Sequence, residues 1–124
     1  MKRGAADEGS SPSTSPLDFA HLDEQTLGDR ALQRELLSLF ASQSPPLLAR
    51  MRELGRDDMK AFGDLAHHLK GSARAIGAFG VAAAAERLET QPRCSGGPPA
   101  LAALAEALAE AVTAIDVHLQ ASPP

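Results

Sequence analysis

Apolar residues recur along most of the chain at three- and four-residue spacing, the period of a helix that buries one face. A short amphipathic segment, LDFAHLDEQTL, begins near Leu17 and ends at Gly28. Asp29 then caps a longer helix that carries Leu32, Leu36, Leu37, Leu39 and Phe40. Ser44-Pro45-Pro46 predicts a kink or a fresh helix start, because proline lacks the amide hydrogen that an interior turn needs. That helix stops at Gly55. Asp57 or Asp58 caps the next, which runs to about Ile76 with Gly77 in the position after the last turn that favours glycine. Another helix follows from about Phe79 to Thr90. After the loop QPRCSGGPP, Pro98 or Pro99 opens a last helix in which Leu101, Leu104, Leu108, Val112, Ile115 and Leu119 keep one stripe. No strand-like alternation interrupts these runs. The expected fold is all-α, an antiparallel four-helix bundle over residues 17–120 with a short additional N-terminal helix. Residues 1–16, made of Ser, Pro, Gly and charge, read as a disordered tail, and 121–124 as a C-terminal tail.

Composition narrows the functional classes. With 12 Lys plus Arg against 16 Asp plus Glu, the net charge of -4 provides no excess of basic surface for a phosphate backbone, so nucleic acid is not expected as a partner. The single cysteine, Cys94, forbids an intrachain disulfide or a cysteine-cluster metal site and reads as a bystander thiol in a loop. No apolar run approaches the roughly 20 residues that span a bilayer, and the first residues lack the apolar core of a signal peptide. A cytoplasmic monomer with no membrane contact is the expectation. An inward-facing metal bundle would need a Glu with a His three residues later, and no Glu here has one; no metal site is expected.

Candidate chemistry concentrates in AHHLKG, residues 66–71. If Phe62, Leu65, Leu69, Ser72 and Ile76 form the buried stripe of their helix, His67 lies roughly 170° from its middle and points at water, while His68 lies about 90° away on the flank. Adjacent residues do not share a helix face, so the two histidines cannot clamp one metal ion. The outward stripe around His67 holds Gly63, Lys70, Gly71 and Arg74. Glycine costs about 1 kcal/mol relative to alanine inside a helix. What two glycines provide there is clearance for another protein to approach His67. Lys70 adds a flexible ammonium suited to an anionic group. An exposed neutral imidazole is a nucleophile, and a carboxylate on its other nitrogen fixes the tautomer. Glu89, at the edge of a helix whose core stripe is Val81, Ala85 and Leu88, is the candidate for that carboxylate. Spacing alone leaves a second reading open, in which His67 and Glu89 are solvated surface residues, and His21 and His118 are structural or solvated.

The run AHHLKGSARAIGA, residues 66–78, resembles the signature of histidine-containing phosphotransfer (HPt) domains, Ala-His-x-Leu-Lys-Gly-Ser followed after a gap by Gly-Ala. ELLSLFASQSPPLLARM is similar to the second helix of that family. The resemblance implies His67 as phosphoacceptor, Lys70 and Gly71 as the accompanying lysine and small residue, and Glu89 at the position where the family has Gln or Glu bonded to the imidazole. It departs from the pattern at Ala73, where Ser is common, and at His68, an unusual neighbour of the acceptor.

What the resemblance further implies is a phosphorelay intermediate rather than an enzyme. His67 would take a phosphoryl group from the aspartyl phosphate of a response-regulator receiver domain, including one carried by a hybrid histidine kinase, and pass it to another receiver. Gly63, Gly71 and Arg74 would form the receiver-docking face. The chain would need no cofactor of its own, with Mg²⁺ supplied by the partner receiver. The alternative is an HPt-like module that docks receivers or kinases without accepting phosphate.

Overall fold

Three aspartates set helix starts, each accepting a hydrogen bond from the backbone N–H three residues on: Asp18 from His21, Asp29 from Leu32 and Asp58 from Ala61, all at 3.0 Å. Each bond satisfies one of the amides that a first helical turn leaves without a partner. The computed structural model describes residues 16–54, 57–90 and 98–121. Among these residues lie α1 (Phe19–Thr26), α2 (Arg30–Leu54), α3 (Met59–Ile76), α4 (Phe79–Thr90) and α5 (Pro98–Ala121), with no strand. Residues 1–15 of the tail expected over 1–16, the stop at Gly55, the loop with Cys94 and residues 122–124 lie outside the described residues.

The helices α2 to α5 form an antiparallel four-helix bundle. Helix α3 packs on α2 and, most extensively, on α4; α5 packs on α4 and returns to α2, closing the ring, while α1 lies against α2 and α3. Leu37 and Met51 from α2, Phe62 and Leu69 from α3, Leu88 from α4, and Leu104 and Ile115 from α5 are sealed from solvent at its centre. Burying each such side chain contributes about 1.5–3 kcal/mol. Because the core contains no Trp or Tyr, it needs no partner for a buried ring polar group. The polar residues that are buried at the α1–α2 junction satisfy one another: Gln33 Nε2 donates to Asp23 Oδ1 at 2.6 Å and to Thr26 Oγ1 at 3.0 Å, and the Thr26 hydroxyl donates to the Leu22 carbonyl.

The turn between α3 and α4 requires glycine. Gly77 has φ 84°, and its N–H and that of Ala78 close the last turn of α3 on the Arg74 and Ala73 carbonyls. A Cβ on Gly77 would lie 2.6 Å from the Asp18 carbonyl oxygen, and the Asp18 N–H donates to the Gly77 carbonyl at 2.9 Å. This close approach ties the start of α1 to the same turn. His21 reinforces it: its Nε2 donates to the Arg74 carbonyl at 2.9 Å, and its ring meets the Phe79 ring edge-on at 4.9 Å.

Two sequence expectations are corrected. Of the kink and the fresh helix start expected at Pro45 and Pro46, the fresh start is overturned: Arg30 to Leu54 is one run. Each proline removes one hydrogen bond, to the Ala41 and Ser42 carbonyls, but both prolines are exposed, so water can serve the freed carbonyls while Phe40, Ser44, Leu48 and Met51 hold the other face in the core. On α3 the buried stripe is Phe62, Ala66, Leu69, Ala73 and Ile76, with Leu65 and Ser72 only half-buried. The stripe turns toward α4 because alanine lets two helices come closer than leucine does. The middle of this stripe lies about 140° from His67 and about 120° from His68, so both rings are exposed.

Candidate functional site

Helices α3 and α4 are joined by two residues and therefore run antiparallel as neighbours, with buried alanines on both. Ala66 and Ala73 on α3, and Ala82 and Ala85 on α4, are buried. That close seam lets glutamates on α4 reach cations and an imidazole on α3. Three such links follow in register: Arg74 Nη2 to Glu86 Oε1 at 2.8 Å, Lys70 Nζ to Glu89 Oε1 at 2.7 Å, and His67 Nδ1 to Glu89 Oε2 at 2.6 Å.

His67 is the outermost member, with 67% of its side chain exposed. An ionised carboxylate only accepts hydrogen bonds, so Nδ1 carries the hydrogen and donates to Glu89. In the neutral ring this leaves Nε2 unprotonated, with its lone pair pointing outward. Glu89 stays ionised over a wide range of pH: the Lys70 ammonium on Oε1 is the largest cause that holds its carboxyl below the usual value of 4.5, partial burial opposes this, and the hydrogen bond from His67 adds to it. Oε1 is itself sealed from solvent, and the Lys70 ammonium at 2.7 Å is the polar group it faces.

The structure brings His67, Lys70 and Glu89 together. Lys70 differs from its sequence reading in one respect: the ammonium is not loose on the surface but pinned to Glu89, with 15% of the side chain exposed. Gly63 and Gly71 lie one turn on either side of His67, and a Cβ built on either meets nothing within 4 Å. Both are open toward solvent. Arg74 lies on the same face, half-exposed and paired with Glu86. His68 lies apart from this network and lines a groove between α2 and α3. Ala73, where the signature has Ser, is fully buried, so a hydroxyl there would enter the core seam rather than the site. Sequence reading passed over Glu86. Its signal was the match of Glu86 and Glu89, three apart on α4, to Lys70 and Arg74, four apart on α3.

Among the described residues no cluster of His, Cys, Asp or Glu could hold a metal ion, and no helix is long and apolar enough to cross a membrane.

A bundle that presents an exposed imidazole, oriented from behind by a carboxylate and flanked by glycines, is built to offer a nucleophilic nitrogen to a second macromolecule. The family model of the Hpt domain matches residues 35–118, more than half of the chain, and the chain belongs to the Hpt domain family. Its role is therefore phosphotransfer in two-component signalling, as a phosphocarrier in a family that works with receiver domains. The match starts within α2 and leaves α1 outside. No curated protein and no solved structure gives a match.

Proposed function

We propose that this chain is a phosphorelay intermediate that carries the phosphoryl group on His67. It receives the group from the aspartyl phosphate of one response-regulator receiver domain, such as that of a hybrid histidine kinase, and delivers it to the aspartate of another. The observation that carries this reading is the exposed His67 ring with Nδ1 held 2.6 Å from Glu89, which leaves Nε2 as the outward nucleophile. In the first transfer the Nε2 lone pair forms an N–P bond as the aspartyl O–P bond breaks, and the donor carboxylate leaves. The ring retains its Nδ1 hydrogen and becomes cationic, a charge that Glu89 stabilises. Transfer to the next receiver reverses these bonds.

Lys70 acts on the phosphoryl group as a positive charge, exchanging part of its contact with Glu89 for one with the new anion. Gly63, Gly71 and Arg74 form the face on which the receiver docks. The receiver brings the acidic pocket and the Mg²⁺ that neutralises the phosphoryl oxygens; this chain contributes a positioned nucleophile. It does so as a cytoplasmic monomer.

The test is to incubate the protein with phosphorylated receiver domains and follow label onto it. Acid-labile label should appear on the parent and on His68→Gln, and be absent from a His67→Gln variant that circular dichroism shows to be folded. Label retained on His67→Gln would overturn the assignment, and no label on the parent would leave only a docking module.

A further inference from the structure

We propose that His68 determines which receiver domains this phosphocarrier accepts, an inference that rests on the function proposed above. His68 follows the acceptor directly in sequence but is turned about 100° around α3 from it. It lines a groove of about 190 Å³ between α2 and α3, whose α2 wall is Leu36, Leu39, Phe40 and Leu47 with Gln43 among them. The groove is open and mostly apolar, with Ser44 and Ser72 completing its polar lining; Leu39 is 43% exposed.

The three cations of α3 each already have a carboxylate partner within the chain. Lys60 pairs with Asp64 at 2.9 Å, Lys70 with Glu89 at 2.7 Å and Arg74 with Glu86 at 2.8 Å. The His68 ring, by contrast, makes no hydrogen bond among the described residues. A helix is only about 10 Å across, so a folded domain seated on His67 also reaches the mouth of the groove on the flank of the same helix. The occupant is therefore the docking surface of the receiver: a ridge of apolar side chains carrying one hydrogen-bond acceptor, a carboxylate or amide oxygen, opposite His68.

The chemistry of selection follows. An apolar groove tolerates many apolar ridges, since a misplaced methylene changes affinity little, whereas a covered ring N–H without an acceptor is left unpaired away from water. Receivers lacking the acceptor are rejected on the order of tenfold.

Calorimetric titration of the purified receiver domains of the source organism, in unphosphorylated Mg²⁺-loaded form, against the parent, His68→Phe and His68→Gln tests this. His68→Phe fills the groove but cannot donate, and should shrink the parent's preference between its best receiver and the others by about tenfold. His68→Gln keeps a donor and should retain most of that preference. An unchanged preference in His68→Phe, or an equal loss toward every receiver, would overturn the proposal. So would failure of His68→Phe to take label from phosphoramidate, a small donor that needs no docking, because His68 would then act through His67. Preference that depends on His68 without any label reaching His67 would support this inference while refuting the phosphocarrier reading; label on His67 with no such preference does the opposite.

Discussion

Glu89 divides one carboxylate between two partners, the imidazole on Oε2 and the ammonium on Oε1. Because the contact with Lys70 is the main cause of its lowered pKa, Lys70→Met should return the Glu89 carboxyl toward 4.5 by more than His67→Gln does. Carboxyl-carbon NMR titration of the two variants measures this, and a larger change in His67→Gln would show the order of causes to be wrong. The sign for stability follows from the same direction of shift. A carboxyl with a depressed folded pKa adds stability that is fully present above its unfolded value near 4.5 and is lost as pH falls through the folded one. The stability difference between the parent and Glu89→Gln should therefore shrink as pH falls below 4.5. For transfer itself, Lys70→Ala should slow the reaction on the order of 100-fold, with Lys70→Arg recovering part, since the guanidinium keeps the charge and changes its shape.

At the scale of the helix, local cost and local use separate at two places. Gly71 sits in the interior of α3 with open space where its Cβ would be, so Gly71→Ala should raise stability by about 1 kcal/mol in a denaturant titration. Gly71→Gln should also stay folded, yet its longer side chain enters the approach path to His67, and transfer from a receiver should slow. Normal transfer by Gly71→Gln would refute the clearance argument. On α2, Pro46 removes a hydrogen bond without breaking the run. Pro46→Ala restores the donor for the Ser42 carbonyl and should raise the melting temperature, by the equivalent of about 1–3 kcal/mol. A lower melting temperature would mean that the proline shapes α2 for its packing on α3.

At the scale of the molecule, site geometry depends on how closely two helices pack. Arg74 opposite Glu86 and Lys70 opposite Glu89 place Ala73 and Ala85 at the same level of the α3–α4 seam. Ala85→Leu would overpack it, cost about 1–3 kcal/mol of stability and push α4 outward. The link from His67 to Glu89 should lengthen with it, so the NMR signal of the Nδ1 hydrogen should weaken and transfer should slow although neither residue is changed. Stability loss without any change in that signal would show that the site does not depend on the seam.

The sequence by itself determined the elements and the face of α3 that carries the acceptor. The cap at Asp29, a cap at Asp57 or Asp58, the glycine at 77 after the last turn, and apolar periodicity are local effects, written within a few residues of where they act. His67 could be singled out because its distance around the helix from any plausible stripe is large, and the correction from about 170° to about 140° leaves it outside. What only the tertiary structure decided depends on distances between helices. The true stripe on α3 was set by how closely α4 approaches, which periodicity does not encode where alanine and leucine both count as apolar. The pinning of Lys70 by the same carboxylate that holds His67, and the opening of His68 onto a groove with α2, follow from that approach. The continuity of α2 through Pro45 and Pro46 was likewise decided by packing on its buried face, which outweighed the two hydrogen bonds lost on its exposed one.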